Sequence, residues 1–193
     1  MDLRLWPKVR WLIKGGFAML LPARQMKQST ILCVLPLITS CLLLAGCKSP
    51  PAGTKFVGQA IDVRFTAIDG RQVDVSQMRG KVVLVDFWAS WCPPCLKEVP
   101  VIKAAYEKLH GRGFEVVGIS LDDDKKDLLA LVAKEKIDWP QFYDPKGAEH
   151  RLAKQFGIEE IPVMWLLDKS GKLRDLDATE NLVEKLEKLL AEP

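Results

Sequence analysis

Residues 82–95 read VVLVDFWASWCPPC, a run rich in valine and aromatic residues that leads to two cysteines three positions apart. A strand buried on both faces of a sheet has this composition, so the segment predicts a central strand over residues 82–88. The residues that follow, Leu96 to Leu109, have a helical pattern, with a kink expected at Pro100. The cysteines are therefore predicted to lie between a strand and a helix.

Strands and helices alternate through the rest of the chain. A hairpin is predicted around Asp69-Gly70, between residues 64–68 and 72–75. Further strands are predicted at 114–121, 141–143, 163–167 and 172–176, and helices are predicted to carry Leu128 to Ile137, Glu149 to Phe156, and the apolar stripe of Leu182, Val183, Leu186, Leu189 and Leu190. This alternation predicts a three-layer α/β domain.

Three aspartates, Asp122 to Asp124, precede the helix that carries Leu128. Their expected role is to cap that helix and to place favourable charge at its N-terminus. A calcium site is the alternative, but the segment lacks the spaced oxygen ligands that a calcium loop provides.

The first 46 residues are predicted to be a signal peptide. Ser29 to Gly46 contain no charged residue and follow Lys27, as in a secretory signal. The sequence Leu44-Ala45-Gly46-Cys47 resembles a bacterial lipobox, which implies cleavage before Cys47 and acylation of this residue. Several acyl chains would anchor the protein stably in a membrane. An uncleaved membrane helix is the alternative, since the apolar run of about 18 residues is just long enough to span.

Residues 1–25 contain helix-breaking prolines and glycines and fit a signal peptide poorly, so translation is expected to start at Met26. A long basic n-region is the alternative. Residues 47–56 are interpreted as a lipidated linker stiffened by proline, and residues 57–193 as the folded domain. Six of the 28 basic residues but only one of the 25 acidic residues precede residue 47. The remaining chain is nearly neutral and has no basic stripe, which argues against a nucleic-acid partner.

The chain has five cysteines. Cys33 and Cys41 would leave with the signal peptide and Cys47 would become a thioether, so Cys92 and Cys95 would remain as thiols. A structural disulfide closing so short a loop would stabilise little, and a zinc site needs about four ligands. A redox pair is therefore favoured, and no metal or cofactor is expected.

The position of the pair suits thiol chemistry. Unpaired N–H groups and the dipole of a helix N-terminus favour a thiolate, so a lowered pKa is expected for the Cys92 thiol. Cys92 would attack a disulfide in another protein, and Cys95, one turn deeper, would resolve the mixed disulfide. The reverse sequence of steps would donate a disulfide.

The chain resembles the thioredoxin superfamily, and most closely the membrane-tethered TlpA/ResA-like thiol–disulfide oxidoreductases. The resemblance covers about residues 57–192. It is carried by Val85-Asp86-Phe87-Trp88-Ala89 with Trp91-Cys92-x-x-Cys95, by Lys97-Glu98-Val99-Pro100, by Gly157-Ile158-Glu159-Glu160-Ile161-Pro162, and by Leu166 to Lys172. It implies a thioredoxin-like three-layer α/β/α sandwich with a central mixed sheet, to which the N-terminal hairpin is added.

The resemblance also implies roles for three residues beside the cysteines. Pro162 would follow a cis peptide bond and expose the backbone of Ile161 to a substrate strand, where the alternative is an ordinary trans proline. Asp86 would be a buried carboxylate that relays the proton of Cys95, where the alternative is a strand-end acid bonded to backbone. Trp91 would shield the disulfide and contact substrate, whereas Trp88 is expected mainly in the core.

One position departs from the family pattern, and another has a candidate counterpart in it. Thioredoxin itself carries a lysine near the buried acid on the next strand, and here that position is Gly118 or a neighbour. Glu115 lies on the strand where ResA-like proteins carry a functional glutamate.

The implied activity is reduction of disulfides in exported proteins, such as apocytochrome c, on the periplasmic side of a bacterial cell envelope. A membrane thiol-reductant transporter would supply the electrons. A thiol peroxidase is a rival, but Ala89 stands where a peroxidatic site has threonine. A copper-delivery protein is another, but it would need a wider cysteine spacing and a histidine.

Overall fold

The computed structural model describes residues 51–145 and 150–193. The strands are β1 (Arg64–Thr66), β2 (Gln72–Asp74), β3 (Val82–Trp88), β4 (Phe114–Ser120), β5 (Gln141–Phe142), β6 (Val163–Leu167) and β7 (Leu173–Asp175). The helices are α1 (Pro93–Leu109), α2 (Lys125–Glu135), α3 (Arg151–Phe156) and α4 (Leu182–Ala191). The predicted signal peptide of residues 1–46, the start at Met26 and the lipid on Cys47 lie outside the described residues.

One mixed sheet contains five of the strands in the order β5-β4-β3-β6-β7. The central strand, β3, pairs in parallel with β4 and antiparallel with β6. All seven residues of β3 are buried. Alternate side chains of β3 enter two cores on opposite faces of the sheet, which confirms the prediction of a central strand over residues 82–88.

Helices and the hairpin cover the two faces of the sheet. Apolar residues of α1 and α4, with Leu128 of α2, form the core on one face. Leu152 and Phe156 of α3, with Phe65 and Val73 of the antiparallel β1–β2 hairpin, form the core on the other face. This is the predicted three-layer α/β arrangement with an added N-terminal hairpin.

Helices α1 and α2 each differ from the prediction at one end. Helix α1 begins at Pro93 instead of Leu96, because Cys92 acts as its N-cap. Pro100 lies inside this helix. Helix α2 ends at Glu135, where Lys136 adopts a left-handed conformation with φ of 53°. Ile137 therefore enters the core from the segment after the helix.

Part of the predicted linker belongs to the folded domain. Residues 54–56 form a 3-10 turn, and the Phe56 ring packs against Phe156 and Trp165 at centroid distances of 5.4 and 6.3 Å. A Cβ at Gly53 would overlap the Trp165 indole, so the chain passes this side chain only because residue 53 is glycine. The folded domain thus starts before residue 57.

In the part of the chain that the structure describes, no helix has both the length and the apolar character needed to cross a membrane.

Candidate active site

Cys92 and Cys95 lie where β3 is followed by α1. They form a disulfide whose Cα atoms are 5.3 Å apart. Cys92 is the N-cap of α1, and its Sγ accepts a hydrogen bond from the Cys95 N–H at 3.2 Å. Since a helix N-terminus favours negative charge, this geometry favours a thiolate at Cys92 when the disulfide is reduced.

The disulfide lies just beneath the surface. Cys92 exposes 4% and Cys95 exposes 2% of its surface. The neighbours Trp91, Pro93 and Pro94 are exposed, and Trp91 exposes 59%. Both cysteines belong to the same core. Cys92 has exposed residues on both sides, whereas Cys95 lies one turn into the helix, between the exposed Pro94 and the half-buried Leu96.

The segment before β6 lies against Cys92. The Ile161–Pro162 peptide bond is cis, as the resemblance implies. The Ile161 carbonyl oxygen lies 3.9 Å from Cys92 Sγ. A groove of about 820 Å³ runs beside this bond and is lined by Pro51, Ala52, Gly157, Glu159, Glu160, Ile161, Pro162 and Val163. A polypeptide lying in this groove would therefore be close to the Cys92 sulfur.

Asp86 is buried in the middle of β3 and exposes 5% of its surface. It lies opposite Gly118 on β4 and Met164 on β6. Leu84 and Trp88, two positions away on the same face of the strand, belong to the same core as the two cysteines. Burial, and secondarily the charge of Glu98, raises the pKa of the Asp86 carboxyl to about 7. No hydrogen bond from a described residue contributes to this pKa, which argues against the backbone-bonded alternative.

Glu98 is a second acidic residue of the site, and the sequence reasoning gave it no role. It lies on α1 three residues after Cys95, so helical spacing places it on the same side of the helix. Partial burial, and secondarily the charge of Asp177, raises the pKa of the Glu98 carboxyl. The acid in the Lys97-Glu98-Val99-Pro100 motif was the available signal.

Trp88 and Gln141 fill the space beside Asp86. Trp88 exposes 2% of its surface, as expected for a core residue, and its Nε1–H donates to Gln141 Oε1 at 2.9 Å. Gln141 Nε2 donates in turn to the Trp139 carbonyl at 3.3 Å. Gly118 is the strand partner of Gln141 and of Asp86, and a Cβ there would overlap the Gln141 side chain. Glutamine thus occupies the region in which thioredoxin has a lysine.

Glu115 is not part of the site. It lies opposite Val83, near the beginning of β3, whereas Cys92 follows the end of β3. Its carboxylate pairs with Lys81 Nζ at 2.6 Å and lies 3.5 Å from His110 Nδ1. These contacts identify Glu115 as a surface ion-pair residue.

Two of the three aspartates after β4 have different roles. Asp124 is the N-cap of α2, where its carboxylate accepts a hydrogen bond from the Lys126 N–H at 2.8 Å, as predicted. Asp122 is not a cap, because its carboxylate accepts hydrogen bonds from Ser90, in the loop before Cys92, and from Ser120. The sequence pattern offered no signal for that long-range contact.

Comparisons with known proteins find a family and a thiol-disulfide oxidoreductase that this chain is similar to. Residues 57–176 match the AhpC/TSA family. The thiol-disulfide oxidoreductase ResA of Bacillus thuringiensis subsp. konkukian is 30% identical over 125 residues, which cover 65% of this chain and 70% of ResA.

Two solved structures are also similar. One is a Chlorobium tepidum protein assigned as the thiol:disulfide interchange protein DsbE, with 29% identity, a TM-score of 0.61, and coverage of 68% of this chain and 95% of that one. The other is a thiol-disulfide oxidoreductase from Bacteroides fragilis, with 29% identity, a TM-score of 0.59, and coverage of 67% and 98%.

Proposed function

We propose, from the premise that this chain belongs to the AhpC/TSA family and is a thiol–disulfide oxidoreductase, that it reduces disulfides in exported proteins through Cys92 and Cys95. The main support is the position of the Cys92 sulfur, which is N-cap of α1 and lies 3.9 Å from the Ile161 carbonyl oxygen. An attacking sulfur is held there, beside a groove of about 820 Å³ in which a client segment would lie. The reducing direction comes from the resemblance to ResA-like proteins.

The reaction is two successive thiol–disulfide exchanges. In the first, the Cys92 thiolate attacks one sulfur of a client disulfide, the client S–S bond breaks, and the released client thiolate takes up a proton. In the second, Cys95 loses its proton and attacks the Cys92 sulfur, which forms the Cys92–Cys95 disulfide and releases the other client thiolate. Two electrons pass to the client, and the protein dithiol is oxidised.

Asp86 is proposed to accept the Cys95 proton in the second exchange. A general base works best when its pKa is near the working pH. Burial and the neighbouring Glu98 raise the pKa of the Asp86 carboxyl to about 7, which meets this condition. Asp86 also belongs to the strand directly before the cysteine loop, on the face that packs against α1.

Client binding is proposed to use Ile161, Pro162 and Trp91. An extended client segment in the groove would pair with the backbone at Ile161, as a strand pairs with a sheet edge. The exposed indole of Trp91 would add an apolar contact beside the reacting sulfur.

The protein is proposed to act on the periplasmic side of a bacterial cell envelope, anchored by lipid at Cys47. The resemblance implies exported clients such as apocytochrome c, and a membrane thiol-reductant transporter that reduces the Cys92–Cys95 disulfide again.

Ala89 disfavours a thiol peroxidase, the rival within the same family. It stands three residues before Cys92, where the peroxidase needs a threonine, and it is fully buried.

Trapping tests the proposed function. Cys95→Ala keeps the attacking sulfur and removes the resolving one, so client proteins should accumulate as mixed disulfides on Cys92. Cys92→Ala is the matched control and should capture none. Mass spectrometry of the captured proteins identifies the client and, from the redox state of its cysteines, the direction. Retention of full disulfide reductase activity by both variants would contradict the proposal.

A further inference from the structure

We propose that Asp122 is a positioning residue for the redox reaction, which holds the three-residue loop before Cys92 so that the Cys92 sulfur stays at the N-terminus of α1. The inference rests on the proposed function in one respect, that Cys92 is the attacking sulfur. Asp122 itself does not contact the client.

Asp122 is a buried carboxylate with both oxygens in use. It exposes 1% of its surface. Oδ1 accepts hydrogen bonds from the Ser90 N–H at 2.9 Å and from the Ser90 hydroxyl at 2.5 Å. Oδ2 accepts from the Ser120 hydroxyl at 2.7 Å, and the Ser120 oxygen accepts from the Asp122 N–H at 3.0 Å. Hydrogen bonds to an ionised carboxylate are among the strongest in proteins, so Ser90 is firmly held.

The anchor of this contact is the central sheet. Ser120 is the last residue of β4 and lies opposite Trp88, the last residue of β3. The Leu121 N–H donates to the Trp88 carbonyl at 2.8 Å, so the chain is still paired with β3 immediately before Asp122. Asp122 therefore connects a rigid strand end to the loop that follows the neighbouring strand.

The loop held in this way leads directly to the attacking sulfur. Ser90 is the middle residue of the segment 89–91, which joins β3 to Cys92. The Cys92 N–H donates to the Ala89 carbonyl at 3.2 Å. The Cys92 sulfur accepts from the Cys95 N–H at 3.2 Å, and this bond depends on where the loop places Cys92. A loop free to move would leave the thiolate less often in contact with the helix N-terminus.

Helix capping does not account for Asp122, since Asp124 already caps α2. A buried carboxylate is costly unless its hydrogen bonds are made, and here they are made to the active-site loop and to β4. The burial of Asp122 is therefore explained by its hydrogen bonds to the loop before Cys92.

Two substitutions separate the hydrogen bonds of Asp122 from its charge. Asp122→Asn keeps an oxygen for Ser90 and can donate to Ser120, but it removes the negative charge. Asp122→Ala removes both. Asp168→Ala is the matched control, because Asp168 Oδ1 accepts the same pair of bonds, from the N–H and hydroxyl of Ser170, in the turn between β6 and β7.

The readout is the rate of alkylation of Cys92 by iodoacetamide from pH 5 to 10, in the full-length protein with Cys95→Ala, followed by mass spectrometry of the Cys92 peptide. Asp122→Ala should slow alkylation at pH 7 by roughly tenfold and move the midpoint of the pH profile upward, because the thiolate loses its fixed place at the helix N-terminus. Asp122→Asn should alkylate at least as fast as the parent, since only a negative charge is lost. Asp168→Ala should leave the profile unchanged.

An unchanged profile in Asp122→Ala, or equal changes in Asp122→Asn and Asp122→Ala, would overturn the assignment. If Asp122→Ala does not fold, Ser90→Ala decides, because it removes the 2.5 Å bond alone and should shift the profile in the same direction by a smaller amount. Client trapping is independent of this measurement, so a failure of the positioning role is distinguishable from a failure of the proposed function.

Discussion

At the scale of single residues, Asp86 has a carboxyl whose pKa depends strongly on its surroundings. An aspartate in water ionises well below neutral pH, but burial raises the pKa of this carboxyl to about 7. The folded protein therefore binds a proton that the unfolded chain releases near pH 3.8. This stabilises folding fully below the unfolded pKa, and the contribution is lost as the pH rises through about 7.

The stability of the oxidised protein is expected to fall between pH 4 and pH 8 relative to the Asp86→Asn variant. The asparagine does not ionise, so the difference in unfolding free energy should change by as much as about 4 kcal/mol in favour of the variant. Urea unfolding at both pH values measures this. Asp62→Asn, at an exposed position, is the control. A difference that stays constant across this pH range would contradict the burial of Asp86.

Trp91→Ala is expected to raise KM for a protein disulfide by roughly tenfold with little change in kcat, because a large exposed aromatic beside Cys92 contributes contact area and not chemistry. The rate with a small-molecule disulfide should stay close to that of the wild type. Val101→Ala removes an apolar side chain of α1 that exposes 42% of its surface, and it is the matched control. Equal effects of Trp91→Ala on both substrates would assign Trp91 to the chemistry instead.

The sequence identified residues with a short-range pattern and missed those with long-range partners. Cys92 and Cys95 follow from spacing and cysteine arithmetic, and Pro162 from a recognisable segment. The contact between Asp122 and Ser90 joins residues 32 positions apart, and no local pattern encodes it. Glu98 lies within the Lys97-Glu98-Val99-Pro100 motif, but its effect on the pKa of Asp86 depends on how α1 packs against the sheet.

At the scale of secondary structure elements, the close approach of β4 and β5 explains a glycine in the middle of a sheet. The Gln141 side chain lies over Gly118 and accepts the hydrogen bond of Trp88. Any larger residue at 118 would push Gln141 away from the tryptophan.

Gly118→Ala is expected to destabilise the fold by about 1–3 kcal/mol, because the new methyl group overlaps a buried, hydrogen-bonded side chain. Gly111→Ala is the control, since no atom lies within 4 Å of a Cβ built there. Chemical denaturation measures both. If Gln141 is the cause, then adding Gln141→Ala should recover part of the loss. A Gly118→Ala protein as stable as wild type would show that the Gln141 side chain does not occupy the space over Gly118.

Element types were predictable because the two faces of the sheet impose clear patterns. The continuous apolar run of β3 and the leucine stripe of α4 reflect burial directly. The ends of the helices were less predictable, because individual capping residues determine them. Helix α1 starts at Pro93 through the Cys92 cap, and α2 ends where Lys136 turns left-handed.

At the scale of the whole molecule, the alternation of strands and helices predicted the three layers. It did not predict the order of the strands in the sheet. Strand β6 pairs antiparallel with β3, and this pairing brings Pro162 close to Cys92. The paired residues are far apart in the chain. Only the family resemblance implied the mixed sheet. The start of the folded domain was misplaced because Phe56 packs on Trp165, a contact with no sequence signature.

Cys47→Ser is expected to release the protein from the membrane fraction of a bacterial host, because the proposed anchor is the lipid on that residue. Fractionation followed by mass spectrometry of the N-terminal peptide measures this, with Cys41→Ser as the control. If the Cys47→Ser protein remained in the membrane fraction, the uncleaved helix would replace the lipid as the anchor.

The central claim is that Cys92 attacks and Cys95 resolves, and a rapid-quench experiment on the purified, reduced protein tests it most directly. The protein is mixed with a peptide disulfide, quenched with acid over milliseconds to seconds, and each mixed disulfide is located by mass spectrometry. The account predicts an adduct on Cys92 that appears first and then decays as the Cys92–Cys95 disulfide forms, and that persists in Cys95→Ala. A first adduct on Cys95, or full turnover by Cys92→Ala, would contradict it.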